Sequence, residues 1–523
     1  MLCFLRLFVL SCIFFVPAKA YSLEVGSVAT ANSFLQSTSM DFAKHHNLWW
    51  LSGNAAGLTI QGLPQHGLAG VELLHTDGAF RRPQQAENQR RWKFSTEKFT
   101  ELDNLHVWGA FSYTHQSDNN LRWTDVLYPY SGNPYIFADD RGGDWNKQFF
   151  NMAARLASQE VFGFLRYGAS VSYQVGSGAR QNDPRPLNRL KDLTFSPSAI
   201  IGLGVRTSLG LTFNYREFRE DISIRIRNRD DNFRYYHLLG LGEYHSAFMT
   251  TYSRFCEGNT IGGALQFNLS GNGYNWLSSA GIDFRNETIV DGGTSGQKAG
   301  DFSQFSTELG SSILWSKPGL NHKLNMRLSF SQGFGTEFVQ EYDPAEFIWF
   351  TVFSTVRTDI SQMNGQLGYT VSMPDGVGGY AWLYDVSLYY TQRNFIYRNP
   401  RSELLHDQLR VSLQTHRYVG NDKRLLLSVG MEGGFAMQGE LIVDPYLEEV
   451  GRDIVLNQVT RPDFDYLTTD FAAISAALSR AFSFTLHRPV YTHIEAGLNY
   501  VHPFSDTFDG GRTYIQLGVV LNY

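Results

Sequence analysis

The stretch Thr513–Tyr523 constrains the fold most. It places Ile515, Leu517, Val519, Leu521 and Tyr523 on one face, and Tyr514, Gln516, Gly518, Val520 and Asn522 on the other. Strand side chains alternate with period two, so one face is oily and the other mostly polar or small. The oily face needs an apolar neighbour, which is a second sheet in a soluble sandwich and lipid in a membrane barrel. The pattern recurs: Leu209, Leu211, Phe213 and Tyr215 alternate with Ser208, Gly210, Thr212 and Asn214, and Tyr167, Ala169, Val171 and Tyr173 with Gly168, Ser170 and Ser172. Ile494, Ala496, Leu498 and Tyr500 alternate with His493, Glu495, Gly497 and Asn499. His and Glu at those positions suit a hydrated lumen, not a dry sandwich core.

The two termini carry matching addresses. Gln516, Gly518, Leu521 and Tyr523 resemble the C-terminal β-signal of bacterial outer-membrane proteins, which implies insertion by the barrel-assembly machinery and a closing strand at that end. At the other end, Arg6 precedes an apolar run from Leu7 to Val16, then Ala18-Lys19-Ala20. That is the pattern of a cleaved secretory signal peptide over residues 1–20, the run being too short to span a bilayer as a helix. Cys12, after Val9-Leu10-Ser11, offers a lipoprotein signal as the competing reading. Cleavage after Ala20 removes Cys3 and Cys12, and the lone Cys256 can form no internal disulfide.

The chain has 44 basic and 50 acidic residues, a net charge of −6, and losing Arg6 and Lys19 with no acid makes the mature chain −8. With no long basic stripe, nucleic acid is not an expected partner. Aromatic residues reach 15%, including 39 Phe and 27 Tyr, which fits girdles at both edges of an apolar belt.

Connection lengths test the barrel independently. Counting back from Tyr523, short turns at Ser483–Arg488, Val419–Lys423, Pro374–Gly379, Lys317–Asn321, Gly271–Asn275 and Gln159–Gly163 alternate with long segments. The long segments are Gly439–Phe464, Gly335–Thr358, Val290–Asp301, Phe218–Gly258, Arg180–Asp192 and Asp118–Asp144. This parity is that of a barrel with periplasmic turns and extracellular loops. The expectation is an all-β transmembrane antiparallel barrel over residues 66–523 with about 18 strands, 14 or 16 remaining open. Arg91–Phe99 alternates weakly and is read either as a strand or as a segment folded into the lumen. Ile222, Ile224 and Ile226 alternate with Arg225, Arg227 and Arg229, a charge load that places this hairpin above the bilayer.

Residues 21–65 lack strand alternation and are read as an N-terminal lumen plug. Asn54-Ala55-Ala56-Gly57-Leu58 resembles the Asn-Pro-Ala-Gly-Leu hatch of FadL-type fatty-acid channels, with Ala55 in the proline position. As a whole the chain resembles large outer-membrane barrels of Bacteroidota, through Arg180-Gln181-Asn182-Asp183-Pro184-Arg185-Pro186 and the aromatic loop at Pro134-Tyr135. That resemblance implies a part in nutrient acquisition beside a TonB-dependent receptor or a surface lipoprotein.

Candidate chemistry lies in two loops. Tyr128, Tyr130, Tyr135 and Phe137, followed by Asp139 and Asp140, combine rings with carboxylates as a surface ligand site would. The bland alternative is a loop that packs its own rings over the mouth. Tyr342 and Trp349, with Phe347 and Phe350, form a second such loop beside Glu341, Asp343 and Glu346. His45 and His46 with Asp41 could ligate a metal, but adjacent side chains on an extended segment diverge, so no metal or cofactor is expected. Ser475 and Ser479 share the inferred lumen side with His493 with no register pairing them, so no enzyme is expected. The function expected is a transporter or channel component for nutrient uptake in the outer membrane. The alternative is a non-conducting barrel that scaffolds a surface receptor or lipoprotein.

Overall fold

The protein is seen here as a computed structural model that describes residues 39–523, apart from 61–62, 64, 229–232, 249–250, 293–295, 375–378, 421–423, 450–451, 486–488 and 523. The expected signal peptide, its cleavage site and Tyr523 lie outside the described residues. Strands are β1 (His66–Gly78), β2 (Asn88–Leu102), β3 (Leu105–Leu121), β4 (Ile136–Asp139), β5 (Gly143–Ser158), β6 (Leu165–Arg180) and β7 (Arg185–Gly202). They continue with β8 (Thr207–Arg225), β9 (Arg234–Gly240), β10 (Glu243–Phe248), β11 (Thr251–Gly271), β12 (Tyr274–Asp291), β13 (Gln297–Lys317) and β14 (Leu320–Asp343). The last are β15 (Ile348–Pro374), β16 (Tyr380–Arg398), β17 (Arg401–Val419), β18 (Leu425–Ile442), β19 (Phe471–Thr485), β20 (Pro489–Pro503) and β21 (Arg512–Asn522).

All but β4, β9 and β10 form one 18-stranded antiparallel sheet. It closes because β1 pairs with both β2 and β21, from Leu68↔Asn522 to Gly78↔Arg512. The outer face is the apolar one: Ile515, Leu517, Val519 and Leu521 are 38–50% exposed, while Gln516 between them is 4% exposed and faces inward. On β20, Ile494 and Leu498 are likewise exposed and Glu495 and Asn499 are buried. Such an inside-out cylinder, with no free edge, is the membrane-barrel fold.

Turns are short at one end. At β13–β14, Pro318 presets one backbone angle and Gly319 takes the left-handed φ of +83° that an L side chain resists. The turns after β15, β17 and β19 fall partly outside the described residues. Three expectations change. Arg91–Phe99 lies within β2, in register with β1 and β3, because Trp92 and Phe94 point outward at 39% and 37% exposure. Gly335–Thr358 is not a loop but a hairpin paired as far as Asp343↔Ile348, and Arg180–Asp192 continues β6 and β7. Their aromatic and β-branched residues keep the ladder going beyond the belt.

Long connections fold back over the other end. There β4, β9 and β10 form a separate three-stranded sheet. Its rings fill the space beneath: Phe137, Tyr235, Ile222, Ile224 and Phe233 form one buried cluster, and Trp123, Tyr236, Leu238, Tyr244 and Val455 another. Ile222 and Ile224 therefore face inward beneath this cap, while Arg225 is exposed. Helix Arg461–Leu467 joins it, with Tyr466 and Leu467 packed on Phe80.

Residues 39–60 are not strand. They form helices Ser39–His46 and Leu48–Leu51 and a 3-10 turn Ala55–Thr59, resting on inward faces of β5, β6, β7, β11 and β12. Asn47 and Asn54 begin the last two elements, their side-chain oxygens accepting from Trp50 N at 2.8 Å and Ala56 N at 3.0 Å.

Candidate functional site

Two cavities lie along the wall formed by β14–β17. The larger, about 320 Å³, lies between the N-terminal helices and inward side chains of β12–β17. Period-two placement puts Glu308, Lys323, Arg327 and Asp385 on this face, and each has a partner. Arg327 Nε is 3.1 Å from Glu308 Oε1, and Lys323 Nζ donates to the His45 carbonyl at 2.7 Å. Thr370 and Ser387 donate to the two Asp385 oxygens at 2.6 and 2.8 Å. His45 opens onto the chamber, and His46 Nδ1 lies 3.0 Å from the Phe42 carbonyl. Surrounding protein, then the Lys323 charge, hold both imidazoles down at about 4. Both rings are thus neutral near pH 7. Among the described residues no group of three or more His, Cys, Asp or Glu is placed to hold a metal.

The N-terminal segment is held by fit and by amide bonds. Trp49 is fully buried, and a Cβ on Gly57 would lie 2.6 Å from the Trp49 Cβ, so only glycine permits that approach. Asn54 is 1% exposed and donates to Gln266 Oε1 at 2.7 Å, as well as to the carbonyls of Ala199 and Leu211 at 3.3 Å. Arg155 donates to the Trp50 carbonyl at 3.2 Å, its guanidinium 4.3 Å from a Trp50 ring centre.

The smaller cavity, about 110 Å³, lies within the cap. Tyr130, Asn133, Leu238, Glu243 and Arg393 line it, with the Arg82–Asp463 ion pair. Arg82 Nε and Nη2 donate to the Asp463 oxygens at 2.6 and 2.7 Å, and its guanidinium lies 3.6 Å from the Tyr130 ring centre. Tyr130 Oη accepts from Gln84 N at 3.0 Å, and burial pushes this phenol up.

The aromatic loop read from sequence divides. Tyr130 reaches the cavity, whereas Tyr128 sits 6.0 Å from Phe149 and donates to Gln174 Oε1 at 3.4 Å. Tyr135 is buried among Leu239, Ile289, Tyr397 and Leu404, in space left by Gly300 and Gly335. Phe137 is fully buried, its ring 4.5 Å from Tyr252 and 5.4 Å from Tyr235. Asp139 is 2.5 Å from Arg180 Nη2, and Arg180 Nη1 is 3.5 Å from Asp125 Oδ1, all three side chains having 0–2% exposure. Burial, then Asp139, pushes the Asp125 carboxyl well up. Asp140 accepts from Tyr236 Oη at 3.3 Å. Tyr342 and Trp349, 5.2 Å apart, pair across the β14–β15 hairpin tip and line neither cavity.

Arg82, Glu243, Arg393 and Asp463 went unread in the sequence, since only long-range folding brings them together. Lys323 and Asp385 did carry a signal, being charges on the non-oily face of their strands. Opposite His493 stands Ala481, while Ser479 faces Glu495 at 3.4 Å and Ser475 faces Asn499.

No curated protein sequence matches the chain. Among solved structures it is similar to the copper transporter OprC, with TM-score 0.41 and 8% identity over 88% of this chain and 80% of that one. It is also similar to the FrpB iron transporter from Neisseria meningitidis (F3-3 variant), with TM-score 0.39 and 9% identity over 90% and 83%. The siderophore receptor PiuA from Acinetobacter baumannii gives TM-score 0.38 and 9% identity over 88% and 82%. At such scores these likenesses assign neither cargo nor partner. A family model does match, over residues 55–523, and the chain belongs to that family, the family of unknown function DUF6850.

Proposed function

We propose that this chain is an outer-membrane transporter component for nutrient uptake, with residues 21–65 as a lumen plug ahead of the barrel at 66–523. The observation that carries the reading is the charged chamber between the N-terminal helices and the β12–β17 wall. A barrel serving only as a scaffold has no need of ordered charges facing an internal space. The exposed apolar belt supports insertion in a bilayer, and the hatch resemblance to FadL-type channels supports a plug built around Asn54 and Gly57. Residues 1–20 are the export signal in this reading, and Gln516, Gly518, Leu521 and Tyr523 address the chain to the barrel-assembly machinery. Tyr128, Tyr130, Tyr135, Phe137, Asp139 and Asp140 shape the capture end. Planar-bilayer conductance tests the reading. The intact chain should conduct little, and deletion of residues 21–60 should raise conductance roughly tenfold or more, as unplugging a wide barrel does. A deletion variant as silent as the intact chain would remove the proposal.

The scaffold reading has one observation in its favour. On the β14–β15 tip, Val339, Tyr342, Phe347, Ile348, Phe350 and Phe353 are 42–66% exposed. A surface receptor or lipoprotein held there should co-purify from native membranes and be lost when residues 338–353 are replaced by a short turn.

A further inference from the structure

The cap cavity has the chemistry of a receptor for one kind of molecule. Arg393 projects from β16 into it, and its nearest recorded partner is the Phe395 ring, 5.5 Å away. Among the described residues Arg393 has no hydrogen-bond acceptor and no carboxylate within ion-pairing distance, and its Nε is buried. The nearby Asp463 is paired instead with Arg82, which donates to both its oxygens, and makes no ion pair with Arg393. Cross-strand from Arg393 stands His406, 2% exposed, with neither ring nitrogen bonded. A buried guanidinium without an anion is costly, and so is a buried polar ring without a partner.

Part of the lining is apolar, with Leu238, Leu241, Phe395, Leu404 and Val455, beside the polar Gln84, Asn133 and Thr460. Glu243, also on the lining, has its carboxyl pushed up by burial, which lessens its repulsion of an incoming anion. The volume of about 110 Å³ is of the order of the ~150 Å³ cavity that holds benzene, so it limits the body to about one six-membered ring. We infer that the cap cavity binds a small carboxylate with an apolar body, its carboxylate on the Arg393 fork and its body among Leu238, Leu241 and Leu404. Arginine suits this task because its planar donors match both carboxylate oxygens.

This inference names a ligand class for the proposed transporter but does not require flux, and calorimetry in detergent isolates it. Benzoate is titrated into the full chain, with benzyl alcohol as the neutral analogue and inorganic phosphate as the apolar-free anion. Benzoate should bind saturably, and Arg393→Gln should weaken it at least roughly thirtyfold, the scale of losing one partner of a buried charge pair. Arg393→Lys should retain part of the affinity, and Arg81→Gln, outside the cavity, all of it. Leu238→Trp, which fills the cavity, should abolish binding in a barrel that keeps its heat-modifiable gel shift. Absence of benzoate binding overturns the inference, as does equal binding by Arg393→Gln, equal binding of benzyl alcohol, or displacement by equimolar phosphate. A chain that binds benzoate yet stays silent after plug deletion sinks only the transport reading. One that conducts on deletion but ignores benzoate sinks only this one.

Discussion

At the long-loop end, Arg180 lies fully buried against Asp125 and Asp139, beneath the stacked rings of Phe137, Tyr235 and Tyr252. At the short-turn end, residues 39–60 pack Phe42, Leu48, Trp49, Ala56 and Leu58 into three separate small clusters, and are bonded by Asn54, Arg155 and Lys323 and by the Lys44–Glu97 ion pair, with their other side open to a polar chamber. The cap is thus a small hydrophobic core with an ionic clamp inside it, and stripping it exposes both. The N-terminal segment's apolar contacts are divided among three small clusters, and its release leaves behind groups that a hydrated lumen can satisfy. Local opening follows buried contact, so the segment is the end built to move and the cap the end built to stay.

The sharpest way to break that contrast is at the clamp. Arg180→Met leaves Asp125 and Asp139 buried without their cation and should cost the cap about 3–5 kcal/mol. Limited proteolysis should then cut within residues 122–142, which the intact protein protects, while the barrel keeps its gel shift. A cap as resistant as before would mean that the rings alone hold it. Phe137→Ala tests those rings and should cost about 3–5 kcal/mol by opening a void in the stack. Neither change should alter hydrogen exchange in residues 39–60.

At the other end, Asn54→Ala removes three donations and one acceptor for Ala56 N, leaving Gln266 with Thr212 as its partner, for a loss of about 1–3 kcal/mol. Gly57→Ala should act in the same direction by driving a methyl into Trp49. Faster exchange over residues 39–60, with an unchanged cap, checks both. If either variant also loosened the cap, the two ends would form one unit and the contrast would fail.

How much of this was legible in sequence differs between wall and ends. The wall was legible because membrane strands repeat one rule: Ile515, Leu517 and Val519 face out while Gln516 faces in, and the alternation of short and long connections agreed with it. Arg91–Phe99 hid its strand because Arg90, Arg91, Lys93 and Lys98 blur the contrast between faces. The β14–β15 extension was hidden because beyond the belt both faces meet water and alternation loses its meaning. The cap was illegible for a different reason. Its cavity draws Arg82, Tyr130, Glu243, Arg393 and Asp463 from five separate connections or strands, and no local spacing records that meeting. Tyr135 and Phe137 lie buried, as in a loop that packs its own rings over the mouth.

The mildest test turns on acid. In the docked segment the His45 and His46 imidazoles are held at about 4 against an ordinary 6.5, first by burial and then by Lys323. Between pH 6.5 and 4 the docked state therefore binds fewer protons than the released one, so docking weakens as pH falls through that window. Above 6.5 the two rings contribute no slope, and below about 4 the loss levels off. The cap sheet carries two imidazoles lowered mainly by burial, His237 and His245, and beside it Asp125 is pushed the opposite way, so acid opposes its folded state at the two rings and favours it at the carboxyl. Hydrogen exchange from pH 7 to 4.5, corrected for the intrinsic rate, should show residues 39–60 opening before β4 and β9. His45→Gln with His46→Gln should flatten that response, and Lys323→Met should shrink it by letting both docked rings titrate nearer 6.5, at a cost of about 1 kcal/mol for the lost bond to the His45 carbonyl. If the double variant opens at the same pH as the parent, the two histidines do not set the segment's response to acid, and another group on the chamber must.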